Sequence, residues 1–413
     1  MSWRWSGAGC GVPSNAQRSG DRRILPKNLV FLVNRPFRGS VFGVEQGMNA
    51  TIRSIQAPRA HRLRALMLYS LAFVAALAVG LDSSGSAVAK SSQGGGPAIY
   101  WGAQIGDQLT GEQAPWDMNA LYKFEQLAGK KVSLVSFNAP FATCAGSSCT
   151  FNPFPYTPFE DLRAQGAIPV YGWSSSSVSE GTHDPKFSLS KIIHGRYDGY
   201  IRQFATAAAA WGHPFFLRFD WEMNGNWFPW SEGVNGNKPG QFVAAWRHVH
   251  DIFTSVGATN ATWAWCPQID RARDLRKVYP GNKYVDWTCL DGYNWGTRYS
   301  WSHWLSFSQI FASSYRALRK IAPRKPIMVG EVASTEYGGS KPAWIKQMLS
   351  SIPRAFPQIR ALIWFEGEDR GLRWPIESSA GARNAFVRGI RSPQYAGNEF
   401  RGIEARPIPA PRR

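Results

Sequence analysis

Pro214-Phe-Phe-Leu-Arg-Phe-Asp-Trp-Glu-Met-Asn-Gly-Asn-Trp-Phe-Pro-Trp230 sets the reading of this 413-residue chain. Its apolar start reads as a buried strand, expected to run from Phe215 to a carboxylate, Glu222. Beyond it come Asn224, a turn at Gly225-Asn226, then Trp227 and Trp230. An acid at a strand end, ringed by aromatic and amide side chains, suits a sugar. Aromatic faces cover the C–H faces of pyranose rings, and amides bind hydroxyls. The plainer alternative is a core strand with a capping acid and packing tryptophans. Met-Asn-Gly together with both tryptophans weighs against it.

Outward from this stretch the same pattern repeats. Short apolar strands are expected at 98–101, 131–137, 167–173, 215–222, 261–266, 287–293, 326–331 and 361–365. Helical periodicity falls between them at 118–128, 159–165, 197–211, 241–256, 305–321, 343–352 and 380–390, and only the crossover around Arg271–Tyr279 is weak. Continuous apolar strands separated by amphipathic helices indicate a parallel sheet covered by helices. Eight such units predict an α/β fold, a (β/α)8 TIM barrel over residues 97–390. A doubly wound open sheet is the alternative. It advertises a Gly-rich phosphate loop after its first strand, which is missing here.

The flanks read differently. Residues 1–64 carry eleven Lys/Arg against two Asp/Glu and little periodicity, which predicts a disordered basic extension or a mis-set start. Arg62 and Arg64 precede the apolar run Ala65–Leu81, and Ala87-Val-Ala89 follows, so 65–89 reads as a signal peptide cleaved after Ala89. The run is short for a membrane span, so a membrane partner is expected only if the signal stays uncleaved. Residues 90–96 are a Ser/Gly lead-in. Residues 391–413, with four prolines, are expected to be a loose basic tail. The formal charge of +19 lies largely in these flanks, which argues against a nucleic-acid partner. A monomer is expected.

Cysteine usage agrees with export. Cys144 and Cys149 share one loop, and Cys266 and Cys289 fall on adjacent predicted strands, where they either pair or stay buried thiols. The seven histidines are scattered, so neither a metal nor another cofactor is expected.

In a barrel, catalytic groups project from the C-terminal strand ends. Those ends offer Trp101, Trp173, Glu222, Trp295, Glu331 and Trp364. Two carboxylates in an aromatic ring are the minimum apparatus for hydrolysing a glycosidic bond. The Glu-Met-Asn-Gly segment and its trailing tryptophans resemble the acid/base strand of glycoside hydrolase family 26. More broadly, residues 97–390 resemble the clan A retaining glycosidases. The resemblance implies Glu222 as acid/base, Glu331 as nucleophile, Tyr293 orienting the nucleophile, and Trp364 as a sugar platform. Trp101, Trp173, Trp221, Asn224, Trp227, Trp230 and Trp295 complete the expected sugar-binding set. One departure stands out: Trp221 occupies the place of the family's usual His. Arg218 and Asp220 beside it are expected either to pair with each other or to contact sugar. Glu336 is the rival to Glu331.

The expected activity is that of a secreted retaining endo-β-glycanase cutting β-1,4-mannan by double displacement, with a polysaccharide as partner. Mixed-linkage β-glucan and β-1,3-xylan are runner-up substrates. A carbohydrate-binding pseudo-enzyme is the alternative of another class.

Overall fold

The computed structural model describes residues 98–412, apart from 178–180 and 271. The expected extension, signal peptide and lead-in, and Cys10, lie outside the described residues.

Eight parallel strands close into a barrel. They are β1 (Tyr100–Ile105), β2 (Leu134–Pro140), β3 (Ile168–Ser174), β4 (Phe215–Phe219), β5 (Ala261–Trp265), β6 (Trp287–Asn294), β7 (Ile327–Ser334) and β8 (Ile359–Glu366). Neighbours in sequence are neighbours in space, and β8 closes on β1 through Tyr100↔Ala361 to Ile105↔Glu366. The crossover helices are α1 (Met118–Ala128), α2 (Tyr156–Gln165), α3 (Asp198–Trp211), α4 (Gln241–Ser255), α5 (Phe307–Ile321), α6 (Lys341–Ala355) and α7 (Ala380–Ile390). A short helix, Leu189–Ile193, precedes α3, and the weak β5–β6 crossover is a 3₁₀ segment, Ala272–Val278. Local chemistry fixes the helix ends. Ser306 and Gln309 form a reciprocal capping box at the start of α5, and Gly129 ends α1 in the left-handed conformation.

Strands buried on both faces explain why the sequence reads as continuous apolar runs. Two strand ends differ from expectation. β4 stops at Phe219, so Glu222 sits in the turn beyond it. β7 continues to Ser334, so Glu331 lies within the strand.

The expected loose tail is corrected. Residues 395–411 run beneath the N-terminal end of the barrel and are anchored mainly through their main chain. Trp287 Nε1 donates to the Ile408 carbonyl (2.8 Å), the Ile408 amide donates to Thr262 Oγ1 (2.9 Å), and Tyr100 donates to Pro409 (3.1 Å). Tyr395 and Ile408 are both 1% exposed. Prolines and main-chain anchoring leave no helical or strand periodicity to read.

Both cysteine pairs are disulfides. Cys144–Cys149 closes a small hairpin after β2, and Cys266–Cys289 links the end of β5 to β6. Among the described residues no helix is long and apolar enough to cross a membrane.

Candidate active site

The C-terminal end of β4 is built by an unusual backbone. Asp220 and Glu222 both take positive φ, 45° and 54°, which is costly for residues with a Cβ. Their amides still bond outward on either side, Asp220 to the Trp173 carbonyl (3.1 Å) and Glu222 to the Cys266 carbonyl (2.7 Å). Side chains over-determine the turn. Ser175 donates its amide and its hydroxyl to the Asp220 carboxylate, both at 2.7 Å. Trp230 Nε1 donates to the Trp221 carbonyl (2.7 Å). Asn224 Nδ2 donates to the carbonyls of Gln268 and Asp270, and its Oδ1 accepts the Gln268 amide (2.8 Å). Strain held this way gathers where geometry matters for function.

Glu222 is 8% exposed and accepts one hydrogen bond, from Trp227 Nε1 at 2.6 Å. Burial first, then the nearby negative charge of Glu331, push its carboxyl up to about 8. Glu331 meets different partners. Tyr293 Oη donates to its Oε2 (2.5 Å), and Arg218 Nη2 donates to its Oε1 (3.1 Å). The same Arg218 nitrogen binds Asp291 Oδ2 at 2.7 Å. Thus one buried carboxyl sits in a setting that keeps its proton. The other has both oxygens held by donors.

Arg218 therefore pairs with Asp291 and Glu331, not with Asp220. Burial pushes the isolated Asp220 carboxyl up to about 7 against the two Ser175 bonds. Gly330 makes room for the cluster. It is the extra residue of a bulge, since Leu290 pairs with Val329 and Asp291 with Glu331. A Cβ there would fall 2.5 Å from Cys289 Sγ and 2.7 Å from Asp291 Oδ1.

The expected aromatic set divides. Trp221 leans on Arg218, whose Cζ is 5.8 Å from its ring, and packs against Phe228 and Trp230. Trp227 touches Glu222, and Trp295 touches Tyr293. The other expected platforms require correction. Trp101 packs on Phe386 of α7. Trp173 stacks on Phe204 of α3, with centroids 4.2 Å apart. Trp364 faces Trp344 of α6 and Phe386. All three are 0% exposed and point out of the barrel toward the helices. Trp230 is 3% exposed and serves as a buttress, while Asn224 has its polar atoms committed to the loop after β5. Glu336 accepts from Ser378, away from the pair.

Two rings next to Tyr293 escaped the sequence reading. Phe365 and Trp374 lie 5.6 and 5.3 Å from it. Phe365 follows Trp364 directly, so strand alternation turns it to the opposite face.

Comparison with known proteins agrees with this fold. Endoglucanase H of Acetivibrio thermocellus is 35% identical over 282 residues, covering 66% of this chain. The chain spans only 29% of that relative's length. Among solved structures, the GH26 domain of an endo-β-mannanase/endo-β-glucanase from Prevotella bryantii superposes with a TM-score of 0.54. It has 15% identity, with 75% of this chain and 93% of that one covered. An endo-β-1,4-mannanase double mutant from Cellulomonas fimi gives a TM-score of 0.56 at 18% identity, covering 76% of each chain. At these identities the likeness is one of fold. Residues 195–335, which include Glu222, Tyr293 and Glu331, match the family model Glycosyl hydrolase family 26.

Proposed function

We propose that this chain is a secreted retaining endo-β-glycanase working by double displacement. The observation that carries the reading is the contrast between its two buried carboxyls, one kept protonated and one held by two donors. In the first step the Glu331 carboxylate attacks the anomeric carbon. The glycosidic C–O bond breaks and the Glu222 proton passes to the leaving oxygen. Esterification removes the Glu331 charge, so Glu222 then holds a proton less tightly. In the second step Glu222 takes a proton from water, whose oxygen attacks the anomeric carbon and frees Glu331. Tyr293 and Arg218 fix the rotamer of the nucleophile, and Trp221, Trp227 and Trp295 supply sugar-facing surface.

The relative with substantial sequence identity bears the name of an endoglucanase. This favours a β-glucan backbone, with β-1,4-mannan second. The replacement of the family's usual His by Trp221 favours a second reading, a secreted binding protein without turnover. Retention of both carboxyls with their partners opposes it.

The test is reducing-sugar release from mixed-linkage glucan, glucomannan, galactomannan and β-1,3-xylan, with the Glu331→Gln protein as blank. Proton NMR of the first-formed product anomer accompanies it. Release with retained configuration is expected. An inverted product would remove Glu331 from its role, and folded protein that binds but never cuts would establish the second reading.

A further inference from the structure

Between β8 and α7 the chain forms a hairpin, Glu368–Asp369 paired with Leu372–Arg373. Its tip, Arg370-Gly371, has positive φ at both residues, 52° and 69°. That is the pattern of a type I′ turn, whose first central position favours Asn, Asp or Gly. An arginine there sits in a backbone region that Cβ-bearing residues avoid. The hairpin is nevertheless pinned. Tyr299 Oη donates to the Arg370 carbonyl (3.4 Å), and Arg373 Nε donates to Glu368 (3.1 Å). Buried Lys341 donates to the carbonyls of Arg373, Trp374 and Pro375 at 2.8–3.2 Å.

This construction delivers the Arg370 side chain to the cleft. Its Cζ lies 5.9 Å from the Trp295 ring, and its Nε lies 3.5 Å from Asp369 Oδ2. Trp295 in turn touches Tyr293, whose hydroxyl holds Glu331. The guanidinium is also close enough to Glu222 for its charge to favour the ionised carboxylate. Yet neither displacement step uses Arg370. Its side chain keeps 35% exposure, so donors remain open to a ligand.

We propose that Arg370 is a specificity-determining residue that donates hydrogen bonds to the hydroxyls of the sugar unit lying against Trp295. A guanidinium is a flat fork of donors, and vicinal hydroxyls on one edge of a pyranose present acceptors that such a fork spans. Contact with the Trp295 face pre-orients the fork, so little freedom is lost on binding. Only the kinetic part of the test rests on reading Glu222 and Glu331 as the catalytic pair.

The binding part uses calorimetric titration of cellohexaose and mannohexaose into the Glu331→Gln protein, with and without Arg370→Gln. Loss of one or two hydrogen bonds predicts about tenfold weaker binding of the better ligand. Arg370→Lys should recover only part of it, because a point charge replaces the fork. The kinetic part uses the pH profile of kcat/KM on the polymer that the wild-type chain cuts. Arg370→Gln should move the alkaline limb to higher pH, and Arg370→Lys should leave it in place. A purely structural role for the hairpin tip would not separate these variants. Binding within twofold of the parent together with an unmoved limb overturns the proposal. If neither hexaose binds the parent, this proposal falls, and the proposed function stands or falls separately on release from the four polymers. Binding without hydrolysis by the wild-type chain removes the proposed function alone.

Discussion

Replacing Glu222 with Gln gives a thermodynamic test of the proton that the proposed mechanism needs. In the folded chain burial and the charge of Glu331 raise the Glu222 carboxyl from 4.5 to about 8. That rise corresponds to about 5 kcal/mol of preference for the protonated form. The unfolded chain releases this proton near the ordinary glutamate value, and the folded chain keeps it until about pH 8. Between these two values the folded state binds more protons, so its stability falls as pH rises. Below pH 4.5 both states are protonated and the penalty vanishes. Above pH 8 it reaches its full size. Glu222→Gln cannot ionise, and its side-chain oxygen can still accept from Trp227 Nε1. The stability gap, variant minus wild type, should therefore widen by up to about 5 kcal/mol from pH 4.5 to 8. Subtracting the two chains cancels the contribution of Asp220, whose carboxyl is also raised by burial and takes no charge effect from Glu222. Urea unfolding followed by tryptophan fluorescence at half-unit steps measures the gap, and the alkaline limb of wild-type kcat/KM should fall near the same pH. A gap constant to within about 1 kcal/mol across the window would refute the account of Glu222 as a buried proton donor.

Three further outcomes check the surrounding structure. Asn224→Ala breaks three hydrogen bonds that hold the Glu222 turn to the loop after β5. It should cost about 3 kcal/mol in urea unfolding and lower kcat more than it raises KM, the reverse of a sugar contact. Trp364→Phe should leave KM unchanged while lowering stability by about 1–3 kcal/mol, because the ring fills space between β8 and the helices. Deleting residues 401–413 strips Ile408 from the barrel floor and leaves the Trp287 N–H without its acceptor, so calorimetry should show about 3 kcal/mol or more of lost stability with kcat/KM intact below the new melting temperature.

The parts of the molecule that the sequence hides share a physical cause. Strands buried on both faces are apolar at every position, so their existence and order are legible while the direction of each side chain is not. Trp101, Trp173 and Trp364 were expected in the cleft because each stands near a strand's C-terminal end. Strand position does not reveal which face a ring occupies, and all three turn to the helices. The inward positions are taken by inconspicuous neighbours. Phe365 reaches Tyr293, and Gly172 makes way for Asn138, whose Oδ1 would lie 1.9 Å from a Cβ placed there. Carboxylates are easier to read, since an acid in an apolar run needs a reason wherever it points. This is why Glu222 and Glu331 stood out even though both strand ends were misplaced by a few residues. What no propensity forecasts is the backbone that aims them. Two positive-φ residues lift Glu222 beyond β4, and a one-residue bulge at Gly330 sets Glu331 opposite Asp291 within reach of Arg218. Arg370 belongs to the same class. It stands in a stretch with no period, and only the left-handed turn beneath it carries its charge to the pair that the sequence already displayed.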